Sequence, residues 1–246
     1  MISNVSRKIM EYFYAQSNDI NQREITLRGD ESKHLARVLR KKEGEFVFIT
    51  DGNGRMFETV IEQIGSATAL CRIEAVFQEY NEMKTAVTLA VSPLKNPGRF
   101  DFLIEKATEL GVHRFIPLIS ERTISRRDKQ ERLHKIALAA MKQCGRSRLP
   151  EITPAVKFDE LLKTKSDYEL ACIPHEQTEA VKTLHSVLAN GTALRNILIA
   201  IGPEGGFSEG EIQKAVEAGF IPVSLGVRRL RTETAAIAAL CAFQSI

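Results

Sequence analysis

Asn196-Ile-Leu-Ile-Ala-Ile-Gly-Pro-Glu-Gly-Gly-Phe-Ser-Glu-Gly-Glu211 is the stretch from which the fold can be worked out. Its first six residues are almost wholly apolar, the pattern of a short strand covered on both faces. Gly202, Gly205 and Gly206 then let the backbone turn and approach a ligand with no Cβ in the way. Ser208, followed three residues later by Glu211, makes a capping box, and Ile212, Ala215, Val216 and Gly219 continue at helical spacing. Strand, glycine turn and capped helix form the repeating unit of an α/β domain. A ligand at such a turn meets the free N–H groups of the helix start. The spacing is not the dinucleotide G-x-G-x-x-G, and the chain has no G-x-x-x-x-G-K-[ST] phosphate loop.

A second unit follows at once. Phe220-Ile-Pro-Val-Ser-Leu225 is another short strand candidate, broken by Gly226. Arg228, Arg229 and Arg231 place three cations within four positions. Thr232 or Thr234 can cap the last helix, whose residues Ala235–Phe243 are nearly all apolar, and a helix apolar all round is a buried one. Two glycine-bearing loops near the carboxyl end can close on one small polar ligand. The plainer reading gives the glycines to turn shape, the threonines to capping and Glu233 to pairing with an arginine.

Working towards the N-terminus, strand and helix alternate from Thr85 onward. Ala86–Val91, His113–Ile119 and Tyr168–Ile173 read as strands, Arg99–Leu110 and Asp128–Cys144 as amphipathic helices. Residues 10–77 are different. Phe46–Thr50, Met56–Ile64 and Ala69–Phe77 read as strands, with a hairpin signal at Asp51-Gly-Asn-Gly54 and a short helix over Glu31–Arg40. This pattern suggests a small barrel. The expected organisation is a first domain over 1–77, a polar linker over 78–84 and an α/β domain over 85–246.

Composition narrows the function. No apolar run approaches the roughly 20 residues that span a membrane, and the first residues lack the apolar core of a signal peptide. Cys71, Cys144, Cys172 and Cys241 include no C-x-x-C pair and read as reduced thiols of a cytoplasmic protein. The five histidines are dispersed, so no metal cluster is expected. The net charge is only +3, but nine basic residues lie between Arg122 and Arg148, opposed by Asp128 and Glu131 alone. Lys33, Arg37, Arg40, Lys41 and Lys42 form a second cluster. Basic runs are more often solvated helix faces than binding sites, yet two clusters in two domains fit a phosphate-binding surface. Aromatics are not interleaved with them, which disfavours a stacking platform for single strands.

Gly202-Pro-Glu-Gly-Gly206 and Leu230-Arg-Thr-Glu-Thr-Ala235 resemble the signature motifs of the RsmE family of SPOUT-class methyltransferases. Gly111-Val112 with Ile116-Pro-Leu118, Gly145-Arg-Ser-Arg-Leu-Pro-Glu-Ile152, His34–Arg40 and Asp51–Gly54 extend the resemblance over nearly the whole chain, in order. One departure is Tyr12-Phe13-Tyr14, where the family often has Arg-Phe-Phe. The resemblance implies a mostly parallel SPOUT-type sheet with a C-terminal trefoil knot, against the general rarity of knots, and an N-terminal PUA-like β-barrel that binds RNA. It implies S-adenosylmethionine-dependent methylation of N3 of a uridine in small-subunit (16S) ribosomal RNA by a homodimer, with no metal and no membrane.

The residues it implies for the cofactor lie in three loops. They are Ile173 (before Pro174-His175-Glu176); Ile201, Gly202, Pro203, Gly205 and Gly206; and Leu225, Gly226, Leu230, Thr232, Thr234 and Ala235. Backbone groups of Ile201, Leu225 and Leu230 suit the polar edges of adenine while their side chains cover its faces. A sulfonium is already an activated leaving group, so no metal is needed. Uridine N3 carries a proton at neutral pH, which points to Arg231 as stabiliser of the developing negative charge and Glu233 as candidate base. The alternative is that Glu233 orients Arg231 and water takes the proton. His175, with no partner cluster, reads as structural. Arg37, Arg40, Arg126, Arg127, Arg132, Arg146 and Arg148 are the expected RNA contacts. Competing readings are a SPOUT methyltransferase acting on another RNA, and a non-catalytic RNA-binding assembly factor.

Overall fold

The computed structural model describes residues 11–124, 130–175, 183–188 and 194–243. The chain folds as two compact units, one comprising Met1–Glu82 and Met141–Leu149, the other Met83–Ala140 and Pro150–Ile246.

The first unit is built on strands β1 (Tyr12–Tyr14), β2 (Glu24–Arg28), β3 (Phe46–Thr50), β4 (Arg55–Ile64) and β5 (Thr68–Gln78), in the order β1-β3-β4-β5-β2. β1 runs parallel to β3 and the other pairs are antiparallel. In β2 the alternation of Glu-Ile-Thr-Leu-Arg turns Ile25 and Leu27 into the core, beside Phe13, Ile49 and Ile61. Two register shifts interrupt the β4–β5 ladder, the device by which long strands bend. This is the PUA-like unit. The pairing described leaves β1 and β2 as edges, so the barrel is a partial one. The helix expected over Glu31–Arg40 is a short α1 (Gly29–Lys33) that widens into a π turn over His34–Val38, with Arg40 following at φ +53°.

The segment 145–149 is stitched into this same unit. Gly54 N and Thr50 Oγ1 both donate to Ser147 O (3.0 and 2.8 Å), and Leu149 N donates to Gly52 O (2.8 Å). The Glu82 carboxylate accepts from the backbone N–H groups of Ser147 and Arg148 and from Arg146 Nη2 at 2.6 Å.

The second unit is a parallel sheet with helices. In chain order it has β6 (Ala86–Val91), α2 (Pro97–Glu109), β7 (Arg114–Ile119), α3 (Gln130–Cys144, whose end from Met141 belongs to the first unit), β8 (Glu151–Ile152), β9 (Val156–Lys157) and α4 (Phe158–Lys163). It continues with β10 (Leu170–Pro174), α5 (Leu184–Leu188), β11 (Asn196–Ile201), α6 (Glu209–Glu217), β12 (Ile221–Val223) and α7 (Thr232–Cys241). The strand order is β12-β10-β11-β6-β7-β8, with β9 also on β7, and every pair is parallel. β6 and β11 pair over six residues and are almost wholly buried, as central parallel strands are. The mixed α/β architecture is the SPOUT type.

α7 is not wholly buried in the single chain. Ala236, Ala239 and Leu240 face inward, while Ile237 and Ala238 are half-buried and Cys241 is exposed. Cys71 and Cys172 lie in the interior, where burial pushes their thiols up to about 11 and about 12, so both stay protonated at neutral pH. No helix among the described residues is long and apolar enough to cross a membrane.

Candidate functional site

Because β12, β10 and β11 are adjacent and parallel, their carboxyl ends, Val223, Pro174 and Ile201, open on one edge of the sheet. That edge is where open α/β sheets place their ligands. The loops leaving these strands, with the start of α7, enclose a cavity of about 580 Å³. A cavity of that size suits a ligand the size of a nucleoside cofactor.

The first loop supplies Ile201, Gly202, Pro203, Gly205 and Gly206 to the wall. Gly206 N donates to Pro203 O at 2.9 Å, closing a tight turn in which Gly206 has φ +68°. A Cβ on Gly202 would lie 3.1 Å from Phe207 N and 3.2 Å from the Gly206 carbonyl carbon, a contact that the backbone would have to relieve by a few tenths of an ångström. The capping box expected at Ser208 is present: Glu211 N donates to Ser208 Oγ at 3.3 Å, and Ser208 N donates to Glu211 Oε2 at 2.9 Å. The second loop brings Leu225, Gly226 and Leu230, and α7 brings Arg231, Thr232, Glu233 and Ala235. Gly226 stands at φ +118°, a backbone state that L side chains rarely adopt.

Thr232 joins the two loops. Its Oγ1 donates to Gly202 O at 3.1 Å. The expectation that Thr232 or Thr234 caps α7 is therefore corrected. Arg231 occupies the N-cap position with no side-chain cap bond, Thr232 is turned to the first loop, and Thr234 is exposed and outside the cavity wall. Ile173 also lies off the wall, fully buried in the core among Ala171, Leu198 and Phe220, while Pro174 and His175 beyond it line the cavity. Glu176 falls outside the described residues.

Glu233 is 8 % exposed, and its Oε1 lies 3.8 Å from Nε of Arg99, at the start of α2. Glu233 thus has an arginine partner, but not Arg231. Among the described residues Arg231 has no ionic partner, and it is exposed at the cavity wall. The sequence reading missed Arg99 and also Arg122, whose Nη1 donates to Gly205 O at 2.8 Å. Glu204 and Glu209 complete the charged lining, so five arginines face three glutamates. No group of three potential metal ligands occurs among the described residues.

The expected RNA contacts separate into classes. Arg37 and Arg40 are exposed on the first unit. Arg132 pairs with Asp101, and Arg148 with Glu79. Arg146 is corrected: its side chain is 3 % exposed and its guanidinium is bound to Glu82, itself 5 % exposed, so it braces the first unit and does not face a solvent-borne phosphate. Arg126 and Arg127 lie outside the described residues.

Comparison with known proteins gives the following. Residues 81–244 match an RNA methyltransferase domain, and residues 27–74 match an RNA methyltransferase PUA domain. The chain is 30 % identical over 230 residues to the ribosomal RNA small subunit methyltransferase E of Bacillus subtilis, covering 89 % of this chain and 88 % of that protein. It is 32 % identical over 227 residues to the protein of the same name from Synechocystis, covering 90 % and 73 %. Among solved structures it is similar to the Neisseria gonorrhoeae ribosomal RNA small subunit methyltransferase E bound to S-adenosyl methionine. That match has 33 % identity and a TM-score of 0.84, over 96 % of this chain and 97 % of the other.

Proposed function

Since the chain belongs to the ribosomal RNA small subunit methyltransferase E family, we propose that it transfers a methyl group from S-adenosylmethionine to N3 of a uridine in 16S ribosomal RNA. The observation that carries this reading is the shared cavity: two glycine loops tied by the Thr232–Gly202 bond, with an exposed arginine beside them. The fit to the methyl donor rests on this chain's own geometry. The 202–207 loop is close-packed at Gly202, and it brings three glycines, with no side chain to stand between backbone and a flat base, to a wall that also holds five arginines. Ile201, Leu225 and Leu230 supply apolar cover for the adenine. When bound, the donor supplies an electrophilic methyl group on a good leaving group.

The protein's part is orientation and charge. Arg231 meets the uracil oxygen on which negative charge grows as the N3 proton leaves. Each pKa unit of mismatch between that proton and the medium costs about 1.4 kcal/mol, which is what a fixed cation offsets. Glu233, held by Arg99, is the candidate base or the group that orders the water that takes the proton. Rate against pH for Glu233→Gln separates the two, because loss of a base removes the acid limb and loss of an orienting group lowers the rate at every pH.

Residues 1–77 serve as the RNA-binding domain, with 78–82 and 141–149 belonging to the same compact unit, and the rest of 85–246 carries out methyl transfer. Arg37 and Arg40, exposed and clustered, contact phosphate with Arg126, Arg127, Arg132 and Arg148. Charge reversal at Arg37 and Arg40 weakens RNA binding and flattens its salt dependence, by a slope of roughly 0.9 per contact on duplex. The protein acts in the cytoplasm as a homodimer, with the half-buried apolar side of α7 as the surface that needs cover, and the C-terminal segment is threaded as a trefoil knot. The deciding experiment incubates the purified protein and S-adenosylmethionine with 30S subunits from cells lacking it, then maps methylated nucleotides by mass. A mass gain on a single uridine supports the reading. Cofactor binding with no methyl on any small-subunit uridine overturns the substrate.

A further inference from the structure

We propose that Arg122 is a positioning residue for the cofactor loop. Its guanidinium holds the Gly205 and Phe207 carbonyls, so that the 202–207 turn is set before a ligand arrives. This rests on the methyl-donor reading above. In sequence Arg122 opens the basic run that suggests RNA phosphate. In the structure its Nη1 donates to Gly205 O at 2.8 Å and Phe207 O at 3.4 Å, carbonyls that lie 83 and 85 residues away along the chain. The aliphatic part of the side chain lies close above Gly205, 3.4 Å from where a Cβ would sit.

A loop with three glycines has many conformations to lose on binding. Fixing it beforehand removes that cost from the affinity. Arginine suits the task because Nη1 carries two N–H donors fixed in the guanidinium plane, one for each carbonyl, whereas a lysine ammonium turns freely on a flexible stem. The turn that carries Arg122 is itself anchored. Ser120 N donates to Thr123 Oγ1 at 2.9 Å, and Thr123 Oγ1 bonds Ser92 Oγ at 3.3 Å, in a buried hydroxyl cluster at the ends of β6 and β7. Glu121 N donates to Glu211 Oε1 at 2.8 Å, fastening the same turn to the capped start of α6. Arg122 therefore reaches the loop from a rigid base.

The test combines hydrogen exchange on the full chain without ligand and titration with S-adenosylmethionine. In Arg122→Met the Gly206 amide, protected in the wild type by its bond to Pro203 O, exchanges about tenfold faster or more, and the Kd for S-adenosylmethionine rises by about the same factor, as expected for loss of a charge-assisted bond. The larger share of the kinetic loss falls in KM for the donor and the smaller share in kcat. Arg122→Lys recovers part of both effects, and it stands in if the methionine variant does not fold. Wild-type exchange at Gly206 in the variants overturns the proposal. So does unchanged donor affinity with an RNA salt slope reduced by about one, which makes Arg122 a phosphate contact. If the wild type itself binds no donor, the methyl-donor reading fails, and exchange without ligand still decides whether Arg122 holds the loop.

Discussion

The 202–207 loop is held by several side-chain bonds from distant parts of the chain, whereas in 224–226 the side-chain bonds are local and the distant tie is a backbone one, from Leu184 N to Ser224 O at 3.2 Å. Arg122 grips the Gly205 and Phe207 carbonyls, Lys95 N donates to Glu204 Oε1 at 3.0 Å, and Thr232 reaches Gly202. In the other loop Ser224 bonds Gly226 two residues on, and Val227 is 94 % exposed. Both loops carry glycines for different reasons. At Gly202 a Cβ would crowd backbone at 3.1–3.2 Å, whereas at Gly226 nothing lies within 4 Å and the constraint is φ alone. A site with one fixed wall and one open wall can be preorganised for a donor and still admit a bulky acceptor. Arg228, Arg229 and Arg231, all exposed, are on the open wall.

Substitutions test that division. The largest effect is expected from Arg231→Ala, which removes charge stabilisation and should lower kcat by on the order of 10²–10³, with the donor Kd within a few-fold of wild type. A donor Kd that collapses in step would move Arg231 to the cofactor side and blur the contrast. Gly202→Ala comes next. The new methyl crowds the backbone at Gly206 and Phe207, and overpacking of about 1–3 kcal/mol should weaken donor binding roughly 10- to 100-fold by calorimetry. Gly226→Ala has space but not the backbone angle, so a cost of about 1 kcal/mol or more should appear in chemical denaturation. Thr232→Val removes the bond between the loops and should cost about 1 kcal/mol, read as a several-fold rise in donor Kd. Val227→Ser should change stability by less than about 0.5 kcal/mol. A larger drop in the thermal midpoint would show that the open wall is packed against something.

The sequence resolves what is local. Phe46–Thr50 and Ala86–Val91 occupy the spans expected of them because short runs rich in apolar and β-branched residues, bounded by polar ones, mark a strand locally. β1 and β2 go unread because three residues, or two inward side chains, give too little periodicity. The glycine loops and the Ser208 box were legible for the same local reason. Arg99 and Arg122 were not, because their meaning lies in partners on other elements, Glu233 and the Gly205 carbonyl. The basic run shows the same limit. Every described member is engaged: Arg132 with Asp101, Lys135 with Glu131, Lys142 with Glu31, Arg146 with Glu82, Arg148 with Glu79, and Arg122 with carbonyls. Most of those counter-charges come from elsewhere in the chain, where no window of sequence connects them.

The stitch between Glu82 and residues 146–148 bears on how the N-terminal half could be studied by itself. A fragment stopping at Glu82 would strand a carboxylate that Arg146 and two peptide N–H groups now satisfy, and orphaning one member of a buried ion pair typically costs about 3–5 kcal/mol. Excision at that point should give a poorly soluble peptide, and supplying residues 141–149 in trans should restore its order.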